Sequence, residues 1–146
     1  MAGTRRLRVV LAAVVMLMGL ATATGNLWVI EHQSLAHQVD SMRQYNGLAP
    51  IPEDPALTDL ATEHSWQMAR AQRVFHSSDA TLASTPGPWQ TVGQNVGSGT
   101  QIWRVVRAFM DSSSHRDLIL GDWSSVGYGH IRAGDGNVYV TLWFRR

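Results

Sequence analysis

Residues 126–144, VGYGHIRAGDGNVYVTLWF, decide how this chain folds. Val126, Tyr128 and His130 alternate with Gly127, Gly129 and Ile131, a period of two that belongs to a strand. Gly134-Asp135-Gly136-Asn137 then turns the chain. The return run places Val138, Val140, Leu142 and Phe144 on one face and Tyr139, Thr141 and Trp143 on the other. Apolar bulk on both faces predicts an antiparallel hairpin whose second strand is buried from two sides, so a covering layer is needed on each.

The segments upstream have the helical period that such layers require. Over 31–45, Leu35, Val39 and Met42 share one face, and Asn46-Gly47 ends the helix. Pro50 and Pro52 keep the next stretch extended. Asp54-Pro55 pairs an N-cap with a first-turn proline, which starts a second helix running to about Arg73. Its inner stripe is Leu57, Leu60, Ala61, His64, Met68 and Ala71. His64 is therefore expected to be a core histidine with both ring nitrogens satisfied. Ser77–Trp89 reads as a loop, and 101–110 as a third helix with Ile102, Val105, Val106 and Phe109 inward. Helices first and strands last give an α+β class with helices covering a small antiparallel sheet.

Composition limits the chemistry. The 146 residues carry 12 basic and 11 acidic side chains, every basic one an arginine, and no cysteine. No lysine means no Schiff base and no lysine-dependent phosphate loop. The lack of cysteine removes disulfides, thiolate metal sites and a thiol nucleophile. A near-neutral total gives no nucleic-acid-binding surface. The charge is unevenly placed, however: Met1–Arg8 holds three arginines, Val9–Leu20 is apolar, and Ala21-Thr22-Ala23 is a small-x-small site. These are the three parts of a secretory signal peptide. An uncleaved anchor extended by Leu27-Trp28-Val29-Ile30 is the competing reading. The expected organisation is a signal peptide over 1–23, a lead-in over 24–38 and a domain over 39–146, and the chain without its signal carries a net charge near −2. That domain would be secreted or associated with the cell envelope, or membrane-anchored if the signal stays.

No HExxH, GxSxG, GxGxxG or phosphate-loop motif is present. Two histidines stand in polar, turn-like settings: His76 in Val74-Phe75-His76-Ser77-Ser78, and His115 after Asp111-Ser112-Ser113-Ser114. Neutral imidazoles from separate segments can share a zinc ion, although a stable site normally needs three or four protein ligands. The serines beside His115 read as a solvated polar loop rather than a hydrolase triad, since a triad is a matter of geometry. Trp66, Trp89, Trp103 and Trp123 are candidates to line an apolar groove if exposed.

Taken in order, these pieces resemble the CAP superfamily, which includes cysteine-rich secretory proteins, antigen 5 and pathogenesis-related plant proteins, in its short cysteine-free bacterial form. The resemblance covers Val39–Phe144. It rests on Met42-Arg43, Gly47-Leu48-Ala49-Pro50-Ile51, Phe75-His76-Ser77, Gly93-Gln94-Asn95-Val96, the run Phe109–Leu120 containing Ser112 and His115-Arg116, Val126-Gly127-Tyr128-Gly129 and Tyr139-Val140-Thr141. It implies a three-layer α/β/α sandwich around a small central antiparallel sheet. It also implies a cleft with two histidines and two acids, in which the histidines can bind zinc or another divalent ion.

Carried over, the histidines are His76 and His115. Gln94 stands where the family pattern has glutamate, and Ser112 stands near the second acid. An amide neither takes a proton at neutral pH nor offers a carboxylate to a metal, which weakens general-base chemistry. Asp79 or Asp111 would have to substitute. The expected function is a secreted, non-enzymatic domain binding a lipid or cell-envelope ligand in a cleft formed by His76, Gln94, Ser112 and His115. The alternatives are a zinc-dependent hydrolase using His76 and His115, and an adhesin or effector acting through its outer surface.

Overall fold

The structure is a computed structural model that describes residues 27–146. The expected signal peptide over 1–23 and the start of the lead-in lie outside the described residues. Residues 27–31 are helical and expose Leu27, Trp28, Val29 and Ile30. The unit that carries the fold is His32–Arg146.

Helix α1 occupies 32–45 of this unit and buries Leu35 and Val39 completely. It ends as Asn46-Gly47 predicts, with Gly47 at φ +75 and Leu48 N–H donating to the Arg43 carbonyl at 2.9 Å. The proline-rich stretch then runs beside Val126: Val126 N–H donates to the Pro52 carbonyl and Asp54 N–H to the Val126 carbonyl. Asp54 caps α2 (Pro55–Ala71) by accepting from the Ala56 and Leu57 amides. Gln72, in the left-handed region at φ 46, closes the helix. The remaining elements are α3 (Asp79–Ala83), β1 (Val92–Gly99), α4 (Ile102–Asp111), α5 (Ser113–Ile119), β2 (Ser125–Arg132) and β3 (Val138–Arg145).

The strands form one antiparallel sheet in the order β1-β3-β2, with the last strand in the middle. Every β3 residue from Val138 to Phe144 is buried, as the two-sided apolar pattern requires. Residues directly opposite share a face, so Gln94, Trp143 and Gly127 form one row and Asn95, Leu142 and Tyr128 the next, on the other side. On the first face lies α2: Leu57 and Ala61 pack on Trp143, while Met68 and Ala69 meet Val96 and Tyr139. On the second, Leu35, Val39, Ile102, Val105, Val106, Phe109 and Ile119 pack against Val126, Val138, Val140, Leu142 and Phe144. The result is the expected α/β/α sandwich.

The α2 layer sits unusually close to the sheet. A Cβ on Gly127 would collide with the backbone of Leu57, and one on Gly129 with the backbone of Ala61. The spacing explains the match: two residues along a strand advance roughly 6.7 Å and four along a helix roughly 6 Å, so one glycine lies under each successive turn.

Three expectations need correction. The loop over 77–89 contains the short helix α3, started by Ser78, whose hydroxyl accepts from the Thr81 amide. The serines before His115 do not form a solvated loop: Ser112 is the N-cap of α5, and Ser113 and Ser114 begin the helix. Trp123 is only half-exposed: it stacks on Phe144 at 5.4 Å and its indole N–H donates to the Leu118 carbonyl at 2.6 Å. Trp66, Trp89 and Trp103 are exposed, but Trp66 and Trp89 line different hollows and form no common groove.

Candidate functional site

The site is organised by β1, an edge strand whose consecutive residues Gln94 and Asn95 reach opposite faces of the sheet. On the α2 face, the chain leaves the α2 cap and drops Phe75 into the small core with Met68, Val96 and Tyr139. Phe75 also meets the His64 ring edge-on at 5.3 Å. This anchors the next two residues beside β1. His76 Nδ1 lies 3.0 Å from Gln94 Oε1, and the Ser77 backbone N–H donates to the same oxygen at 3.0 Å. Gln94 Nε2 donates to Ser77 Oγ at 2.8 Å, and Ser77 Oγ contacts His64 Nδ1 at 3.1 Å. His64 Nε2 lies 2.8 Å from the Phe75 carbonyl. His64 is thus the satisfied core histidine its helical position predicts. It also belongs to the network that holds His76.

On the opposite face, α4 and α5 place His115 over Phe109, the rings stacked at 5.3 Å. His115 Nδ1 contacts Ser112 Oγ at 2.8 Å, and Ser112 Oγ lies 3.4 Å from Ser114 Oγ. Asn95, fully buried, donates from Nδ2 to the His115 carbonyl at 2.9 Å, while its Oδ1 is buried without a hydrogen-bond partner. The structure therefore sets Gln94 against His76 and Ser112 against His115. What links the two pairs is the pair of adjacent β1 residues, one bonded to each histidine segment.

The acids available to replace the missing carboxylates are turned elsewhere. Asp111 is three-quarters exposed and faces Arg107 at 4.0 Å, and Asp79 is exposed in the first turn of α3. Among the described residues, no group of three or more histidine, aspartate or glutamate side chains is placed to hold a metal ion. Two imidazoles, an amide and a hydroxyl do not match the donor set of a protein zinc site.

Arg43, from the Met42-Arg43 pair, acts in the scaffold beneath this region. It is buried and donates to the carbonyls of Ala49, Ile119 and Gly121, at 2.7, 2.7 and 2.8 Å. Two of those acceptors lie at the C-terminal end of α5, where a cation is favoured by the helix dipole. His115 thus rides on a helix pinned at its far end from α1.

A three-layer α/β/α sandwich around a small antiparallel sheet is the architecture that the resemblance to the CAP superfamily implies. The model of the cysteine-rich secretory protein family, CAP, matches residues 36–144, and the chain belongs to that family. A search of curated protein sequences found no match. Among solved structures, an outer surface protein of Borrelia burgdorferi is similar with a TM-score of 0.70 at 17% identity, covering 80% of this chain and 92% of that one. An extracellular SCP-domain protein of Bacillus anthracis gives 0.66 at 20% identity, covering 80% of this chain and 40% of that one. A cysteine-rich secretory protein of Staphylococcus aureus gives 0.64 at 22% identity, covering 79% of this chain and 38% of that one. At these identities the likeness is one of fold. Among the described residues no helix is long and apolar enough to cross a membrane.

Proposed function

We propose that this protein is a non-enzymatic CAP domain that works outside the cytoplasmic membrane and binds a lipid or another cell-envelope component at the surface formed by His76, Gln94, Ser112 and His115. The observation that carries the reading is the amide at position 94. Its oxygen is fully engaged by Ser77 N–H and His76 Nδ1, so the histidine has a hydrogen-bonding partner in place of a base. The export-like start of the sequence supports the location, as do the B. anthracis relative, described as extracellular, and the S. aureus relative, described as secretory.

Native mass spectrometry of the purified protein after incubation with envelope lipid extracts tests the proposal. The wild type should retain a bound species that the His76→Ala/His115→Ala double variant loses. Retention by both proteins would move binding to the outer surface, as an adhesin requires. An empty wild type would overturn the reading.

A further inference from the structure

With both imidazole rings neutral, the hydrogen bonds around Gln94 have only one consistent set of directions. The Ser77 backbone N–H is always a donor, so the atom facing it must be the amide oxygen, Oε1. His76 Nδ1 faces that same oxygen and can bond to it only as N–H. The other end of the amide, Nε2, then donates to Ser77 Oγ. That hydroxyl, already accepting, passes its own hydrogen to His64 Nδ1. The chain ends at the Phe75 carbonyl, which is always an acceptor, so His64 Nε2 carries the hydrogen there. Two obligate groups, an amide N–H at one end and a carbonyl at the other, fix every proton between them. A glutamate at 94 would remove the donor to Ser77 and free its hydroxyl to turn.

We infer that Gln94 is a positioning residue that holds the neutral His76 ring as its Nδ1–H tautomer and leaves the Nε2 lone pair outward as an acceptor. The group that docks on the neutral His76 ring is then a neutral proton donor, a hydroxyl or an N–H, rather than a carboxylate or phosphate. This ligand class rests on the reading that His76 faces the ligand; the tautomer does not. An anionic oxygen brought to that lone pair meets another lone pair, whereas a hydroxyl completes a hydrogen bond. His115 has no such constraint, because its Nδ1 faces a serine hydroxyl that can donate or accept.

The test is a two-bond 15N–1H correlation spectrum of the purified protein with 15N-labelled histidine at pH 8. In the wild type, His76 should show a protonated Nδ1 and a bare Nε2, and His64 the reverse. Ser77→Ala should move the His64 Nδ1 signal and leave the His76 pattern in place, since the Ser77 backbone N–H still fixes the amide. Gln94→Leu should return His76 to the Nε2–H form that free histidine prefers. A wild-type His76 with Nε2 protonated, or a Gln94→Leu variant unchanged at His76, overturns the tautomer. Monodecanoylglycerol and decanoate then probe the ligand class: the glycerol ester should shift His76 Nε2 and the carboxylate should not. A shift with decanoate as large as with the ester overturns the class. No shift with either overturns the ligand-facing role of His76 and so the functional reading, while the tautomer pattern is read independently.

Discussion

The two faces of the sheet are built on different principles, and the two histidines inherit the difference. On the α2 face the helix rests on glycines, backbone against backbone, and the polar groups between are joined into closed networks: Ser65 to Thr141 at 2.9 Å, Trp143 to Thr85 at 3.0 Å, and the run from Phe75 to His76 through His64, Ser77 and Gln94. On the other face, branched and aromatic side chains from three helices interdigitate with the sheet, and His115 is held by a ring stack and a hydroxyl. Close backbone contact has no slack, whereas interlocking side chains can repack. His76 therefore belongs to a tightly packed, directionally bonded layer, and His115 to one that can adjust its hydrogen bonding.

Substitutions that add or remove atoms on each face break this comparison most directly. Gly129→Ala places a methyl inside the Ala61 backbone and should cost more than about 4 kcal/mol, enough to abolish the folded state in a circular-dichroism melt. Gly134→Ala, with nothing within 4 Å of its Cβ, should stay within about 0.5 kcal/mol of wild type. Phe109→Ala on the repackable face should cost about 3 kcal/mol by urea unfolding, and should also broaden or shift the His115 ring signals as the stack disappears. If Phe109→Ala proves as damaging as Gly129→Ala, the contrast between faces is wrong. Arg43→Met, which leaves three carbonyls without their donor, should cost about 2–3 kcal/mol and loosen α5, read as faster amide exchange over 113–119.

Two carboxylates make the smaller, pH-dependent predictions, with opposite signs. Burial pushes the Asp54 carboxyl up, but the amides of Leu57 and Ala56 and the Arg145 guanidinium outweigh it and hold the group below its ordinary value. Its contribution is present above the ordinary aspartate range and is lost as pH falls through the lowered value. Asp54→Ala should therefore cost about 1 kcal/mol at pH 7 and progressively less toward pH 2. Burial raises Asp40, against the pull of Arg43 and His37 and with a smaller push from Glu53, and its Oδ1 is buried without a hydrogen-bond partner. Here stability is lost as pH rises from the ordinary range through the raised value. Asp40→Asn should bring a small gain at pH 7 that vanishes near pH 3, measured as a difference in melting temperature.

The parts of the fold that were legible in the sequence are those where burial follows a simple period. The β2–β3 hairpin, the stripes of α1 and α4, and the Asp54-Pro55 start follow the residue pattern, and so does most of the α2 stripe, although Ala71 is exposed and Ser65 and Ala69 are buried beside it. Strand β1 does not, because Val92–Gly99 contains three glycines and two buried amides and offers no apolar alternation. Those glycines are there for the helices: Gly97 lies under Phe109 and Val105, and Gly93 under Leu118 and Trp123. The same holds at α5, whose Ser-Ser start looks like loop chemistry until packing of Ile119 fixes it as a helix. The positions of Gln94 and Ser112 came from motif order alone. The bonds from Ser77 to His64 and from Asn95 to the His115 carbonyl span 13 and 20 residues between unlike segments, and no local pattern announces them.

The sheet order carries a consequence for how the chain comes to be folded at all. Its central strand is the last of the three to be synthesised, so until Val138–Arg145 has emerged, β1 and β2 have no strand to pair with and α2 has no Trp143 to cover. The β1–β3 pairings join distant segments and form slowly, whereas β2 closes on β3 as a local hairpin. A chain delivered N-terminus first through a narrow channel would remain threadable along nearly its whole length and close only when this strand is released on the far side.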